Sequence, residues 1–157
     1  MTKLANNGKN EQAGRIELSD GMIRYASEFF GSWELPASKV RVFGEYTTDN
    51  GPMIDDWFMV FVPDDGGWFE ASVYAAGADI FRTDLAKVLG SENLYGELFA
   101  STEFASRVIW PSHLSGKPLF DFAPVLMPWW KKLIRLGSEQ IQFCLSPDVQ
   151  AAVTKPA

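Results

Sequence analysis

Two residue types that carry much of protein chemistry are nearly missing from this chain. It has one cysteine, Cys144, and one histidine, His113, in 157 residues. A single thiol excludes an intramolecular disulfide and fits a reducing compartment. Two Cys and His side chains are too few for a zinc site, so no metal is expected. Any Ser-His-Asp or Cys-His system has to use His113, and Cys144 is the only thiol that could pair with it. The nucleophile signature G-x-S-x-G is absent, as is G-x-G-x-x-G. The stretch "HLSGKP" has Gly-Lys but neither the upstream glycine nor the following Ser or Thr of a phosphate loop. No cofactor is implied.

Long apolar runs are missing too. The longest, "FAPVLMPWW", is nine residues interrupted by prolines, well short of the ~20 needed for a membrane span. The opening "MTKLANNGKNEQAG" holds no apolar segment of the signal-peptide kind. The expectation is a soluble, cytoplasmic protein with no membrane partner. Positive charge is scarce, with 14 Lys and Arg against 20 Asp and Glu, a net charge of −6. Residues 1–100 hold 8 basic and 16 acidic residues, and residues 101–157 hold 6 and 4. That balance argues against nucleic acid, which is bound through clustered Lys and Arg. It permits a basic protein partner, and it also serves plain solubility.

Aromatic residues are abundant, at 14 % of the chain, with six Trp and twelve Phe. Such residues bury the most area each and serve a thick core, a ligand pocket or an interface. The length corresponds to one domain. Residues 1–14, polar and small, are expected to be a disordered lead-in to a single domain over 15–157. "LSDGMIRYASEFFG" predicts a helix with Ser19 as cap, and with Met22, Ile23, Ala26, Phe29 and Phe30 on one face. "KVRVFGEYTT" alternates as a strand, placing Val40, Val42, Gly44 and Tyr46 together. "WFMVFV" is apolar on both faces, which predicts a central strand covered on both sides. "PDDGG" is a turn, and "WFEASVYA" returns as a third strand. "RTDLAKVLG" predicts a short helix capped by Thr83 and ended by Gly90. "SRVIWP" reads as a strand, "PWWKKLIRLG" as a helix, "EQIQFCL" as a strand with Cys144 on its polar side, and "SPDVQAAV" as a closing helix. The fold class is α+β: a mainly antiparallel sheet with a three-stranded meander over about 38–75, packed by helices.

Candidates for chemistry are few. Asp55 and Asp56 precede the central strand. Neighbours on a strand point to opposite faces, so they do not converge as a dyad; they keep the strand mouth solvated and can touch a partner. Glu45 and Glu70 each lie within a strand flanking the central one, where a covered carboxylate needs a partner; Arg41 is the candidate for Glu45. Whether the two carboxylates converge depends on strand register. His113 lies in the loop "WPSHLSGKP".

Three functions remain open, in this order. The first is a non-enzymatic acidic protein-interaction module, inhibitor- or immunity-like, for a basic partner. Its mark is Asp55, Asp56, Asp64 and Asp65 on one exposed face, with Trp110 as a further contact. The second is a small-ligand-binding domain with a pocket formed by the aromatic sheet, drawing on Tyr46, Glu45, Glu70 and Trp110. The third is a small hydrolase using paired carboxylates, Glu45 with Glu70 or Asp55 with Asp56. A homodimer is a further way to cover a strand apolar on both faces.

Overall fold

The computed structural model describes residues 12–48, 56–98, 104–123, 132–136 and 139–154. At its centre is a four-stranded antiparallel sheet of β4 (Val40–Thr47), β5 (Trp57–Pro63), β6 (Phe69–Ser72) and β7 (Ala105–Trp110), in the order β6-β5-β4-β7. The expected meander is β4-β5-β6, and β7 pairs with the far edge of β4. β5 is central. Met59 and Phe61 join one core, and Phe58, Val60 and Val62 the other. Both faces are covered by the chain itself, so no second subunit is needed for that purpose. Burying a side chain such as Phe61 or Val62 contributes about 1.5–3 kcal/mol.

The first face is covered by a second meander, β1 (Arg15–Ser19), β2 (Met22–Ser27) and β3 (Gly31–Pro36), together with α1 (Ala78–Leu89). Ile16, Ile23, Tyr25 and Leu35 meet Phe43, Met59 and Phe61 there, alongside Phe81 and Leu85 of α1. The helix expected over residues 18–31 is therefore two strands and two turns. The reason is local. Asp20 and Gly21 both take positive φ, 52° and 73°, and link Ser19 to its partner Met22 as a two-residue hairpin turn. On either side, Ile16 and Leu18 face Tyr25 and Ile23 at the two-residue period of a strand. The second turn is held by Ser27, whose Oγ accepts from Phe29 N and Phe30 N and donates to the Gln12 carbonyl. Ala13 is also buried, and its carbonyl accepts from the Tyr25 hydroxyl at 2.8 Å. Residues 1–11 lie outside the described part.

The second face is covered by β8 (Phe120–Ala123), β10 (Glu139–Leu145) and α2 (Pro147–Thr154); β9 (Lys132–Leu136) pairs with the far edge of β10, giving the order β8-β10-β9. Leu119, Phe120, Leu145, Val149 and Val153 pack there on Val42, Tyr46 and Phe58. The helix expected over 128–137 is corrected: Lys132–Leu136 is a strand paired with β10, its Ile134 opposite Ile141. The neighbouring residues 124–131, Trp129 and Trp130 among them, lie outside the described part.

Smaller expectations shift as well. α1 starts at Ala78 after Gly77, five residues before the expected cap Thr83, and is ended by Gly90 as expected. Val40 joins the first core and Val42 the second, because a bulge between them breaks the alternation. Cys144 is buried and donates to the Asp121 carbonyl at 3.8 Å; β10 is the middle strand of its sheet, paired on both edges. No described helix is long and apolar enough to cross a membrane.

Candidate functional site

Strand register decides how the two candidate glutamates are used. Glu45 stands opposite Met59 on β5 and Arg107 on β7. Glu70 stands opposite Val60, whose partner on β4 is Gly44. Adjacent positions on a strand face opposite ways, so Glu45 and Glu70 emerge on opposite sides of the sheet and form no catalytic pair.

Glu45 is 2 % exposed. Its Oε1 accepts from Glu97 N and Leu98 N, both at 2.8 Å, and its Oε2 accepts from Trp57 Nε1 at 3.0 Å. Its cationic neighbour is Arg107, Nη1 at 3.9 Å, in place of Arg41; Arg107 Nη2 also lies 3.5 Å from Glu97 Oε1. The carboxylate occupies space that a side chain at Gly96 would fill. Glu45 is thus saturated by donors that fasten residues 96–98 to the sheet. It has no oxygen placed to act on a substrate.

On the other side, Glu70 accepts from Tyr46 Oη through Oε2 and from Trp68 Nε1 through Oε1, both at 3.0 Å. Burial and then the adjacent Glu70 carboxylate push the Tyr46 hydroxyl well above its usual range. The phenol therefore stays protonated and remains a donor. The Trp68 indole is held at one edge by Glu70 and meets the Phe120 ring at 5.2 Å. The rest of it lines a groove of about 380 Å³ between the β5–β6 turn and α2. Leu145 and Val153 line this groove from the buried side, and Asp65, Gln150 and Thr154 stand at its exposed rim. Asp65 is oriented by Gly67, whose N–H donates to Oδ1 at 3.2 Å. The result is an apolar trough with a preset indole and one carboxylate at the lip, suited to binding.

The remaining expected site residues are scattered. Asp56 is buried and accepts from the Tyr74 hydroxyl at 3.1 Å; Asp55 lies outside the described residues. Asp64 and Asp65 are exposed at the other end of β5, roughly 24 Å away for a seven-residue strand. No exposed face holds Asp56 with Asp64 and Asp65. Trp110 packs half-buried in the core between the central sheet and β1–β3, on the Glu45 side of the sheet, so the pocket of Tyr46, Glu45, Glu70 and Trp110 is not assembled. His113 is exposed on the 3-10 turn Ser112–Leu114, and no hydrogen bond among the described residues joins it to Cys144. Nor is there, among those residues, a group of three His, Cys, Asp or Glu side chains arranged to hold a metal.

Sequence reasoning missed Trp68, Gln150 and Val153 as groove residues and Arg107 as the neighbour of Glu45. The one available signal was "DDGGW", which puts an aromatic ring directly after an acidic turn. The fold is α+β with an apolar surface trough. No family model matches the chain. No curated protein and no solved structure is significantly similar to it.

Proposed function

We propose that this chain is a non-enzymatic protein-interaction module, acting in the cytoplasm, that takes a basic side chain of a partner protein into the Trp68 groove. One observation carries the reading: the groove combines a fixed indole, an apolar floor of Leu145 and Val153, and the exposed carboxylate of Asp65. An Arg or Lys stem packs on apolar surface while its charged head seeks an aromatic face and a carboxylate. The net charge of −6 favours approach of such a partner. The scarcity of catalytic groups and the separation of Glu45 from Glu70 weigh against the hydrolase reading.

The test is titration of the purified protein with short Arg- and Lys-bearing peptides and with neutral counterparts, at low and high salt. Saturable binding of the basic peptides is expected, weakened by salt. Trp68→Ala should cost about tenfold or more in affinity, the scale of an aromatic anchor. Asp65→Asn should mainly reduce the salt dependence. Equal binding of neutral peptides, or binding indifferent to Trp68→Ala, would reject the proposal. A groove of this size also admits a small organic ligand, which would displace the peptide in the same assay.

A further inference from the structure

On the other side of the central sheet, α1 and the residues after it enclose a second cleft of about 120 Å³, room for about four waters at ~30 Å³ each. Arg82, Lys87, Asn93 and Tyr95 line it, and Glu92 is the one carboxylate among its walls. The Asp79 carboxylate that pairs with Arg82 is largely in water, so Arg82 and Lys87 are the cations that line the cleft.

Arg82 is the central group. Its side chain is only 9 % exposed. The guanidinium stands 5.8 Å from the centre of the Tyr95 ring. Its one hydrogen bond among the described residues is from Nη1 to Asp79 Oδ1 at 3.3 Å, and the Asp79 side chain is 86 % exposed. A guanidinium has five N–H donors, and a buried cation is ordinarily both paired and hydrogen-bonded. Here the only carboxylate partner is largely in water. Burial lowers the Arg82 pKa from its ordinary value against the opposing fields of Asp79, Tyr95 and Glu45, so desolvation is not fully compensated.

The other walls sort by hydrogen bonding. Thr83 and Ser91 spend their hydroxyl protons on the carbonyls of Asp79 and Asn93. Asn93 accepts from Tyr95 N through Oδ1, which leaves its amide nitrogen as a donor. The carbonyls of Ala86 and Lys87 at the end of α1 are capped by the N–H groups of Gly90 and Ser91, which quiets the negative end of that helix. The donors left are Arg82, Lys87 and Asn93.

We propose that this cleft binds a small oxyanion, a phosphate or carboxylate group, in the fork of Arg82 with Lys87 as the second cation and Asn93 as a neutral donor. Planar two-point recognition of an oxyanion is what a guanidinium does best. The site is independent of the Trp68 groove, and either can fail without the other.

The test is titration of the ¹⁵N-labelled full chain with inorganic phosphate and, separately, with acetate, at constant ionic strength set by sodium chloride. Saturable shifts at the amides of Lys87 and 91–95 by either anion support the site, and the anion that saturates at lower concentration assigns phosphate or carboxylate. Lys87→Ala, an exposed change, should weaken binding several-fold, and Arg82→Gln should abolish it. Trp68→Ala should leave it unchanged. Shifts that do not saturate with either anion, or that survive Lys87→Ala at full strength, would overturn the proposal. Should Arg82→Gln not fold, Lys87→Ala alone decides.

Discussion

Glu45 and Glu70 are separated by the sheet that bears them: one faces β1–β3 and α1, the other faces β8, β10 and α2. Each carboxylate is held by indole and other donors on its own side. Two groups that look alike in sequence therefore have unlike work. Glu45 ties down a segment of backbone, and Glu70 sets the orientation of a surface indole.

Glu45→Gln should destabilise the protein by about 2–4 kcal/mol. Two backbone donors would then face an amide instead of a carboxylate, and Arg107 would lose its buried counter-charge. Urea unfolding measures the loss. Hydrogen exchange should show the Glu97 and Leu98 amides losing protection while β5 keeps its own. Unchanged protection at 97 and 98 would contradict this role.

Gly96→Ala should open the same segment from the other side, because the new Cβ would fall on the Glu45 carboxylate. A cost of about 1–3 kcal/mol is expected from overpacking. Crossed with Glu45→Ala, which removes the obstacle, the cost of the alanine at 96 should nearly vanish. Additive losses in this double-mutant cycle would mean the two sites do not meet.

Gly21→Ala provides a contrast. Gly21 has φ 73° but nothing within 4 Å of where a Cβ would sit, so the cost is conformational alone. About 1 kcal/mol is expected, read as a lower thermal midpoint with peptide binding at the Trp68 groove unaltered.

Tyr46 should make stability fall in alkali. Its pKa is raised in the folded state relative to the ordinary 10.0, so the unfolded chain releases the phenolic proton first. The stabilisation is complete below about pH 10 and is lost as pH rises from there toward the folded value. Tyr46→Phe should lower stability at neutral pH by about 1–2 kcal/mol, through loss of a hydrogen bond to a carboxylate. It should also flatten the decline above pH 10. A decline equally steep in Tyr46→Phe would assign the effect to other groups.

The middle of the chain was legible because two-residue alternation, an apolar strand on both faces and a Pro-Asp-Asp-Gly-Gly turn all pointed to one meander. The beginning is ambiguous in sequence because Met22, Ile23, Ala26, Phe29 and Phe30 also satisfy a helical spacing. Asp20-Gly21 was the better signal, and burial of Ile23 and Tyr25 against the central sheet settles the competition. Lys132–Leu136 is ambiguous in the same way: a short segment with strong helix formers becomes a strand because Glu139–Leu145 is there to pair with it. Arg107 and the Trp68 groove were out of reach for another reason. Register brings Arg107 to Glu45, and Trp68 meets Leu145 and Val153 only once α2 docks, so no local pattern encodes either meeting.

The acid pairs Asp55-Asp56 and Asp64-Asp65 enclose β5 in sequence, and β5 is the strand whose two faces are both buried in the folded domain. Before folding, both of those faces are bare. A run of six residues, 57–62, with aromatic and β-branched side chains and no charge is the kind of segment that stacks with copies of itself. Four negative charges and a proline at its borders are what hold such segments apart while they wait for their neighbours. Four of the chain's 20 carboxylates thus stand where gatekeeping charges belong, beside a strand that stays uncovered on one face until β10 and α2 have left the ribosome.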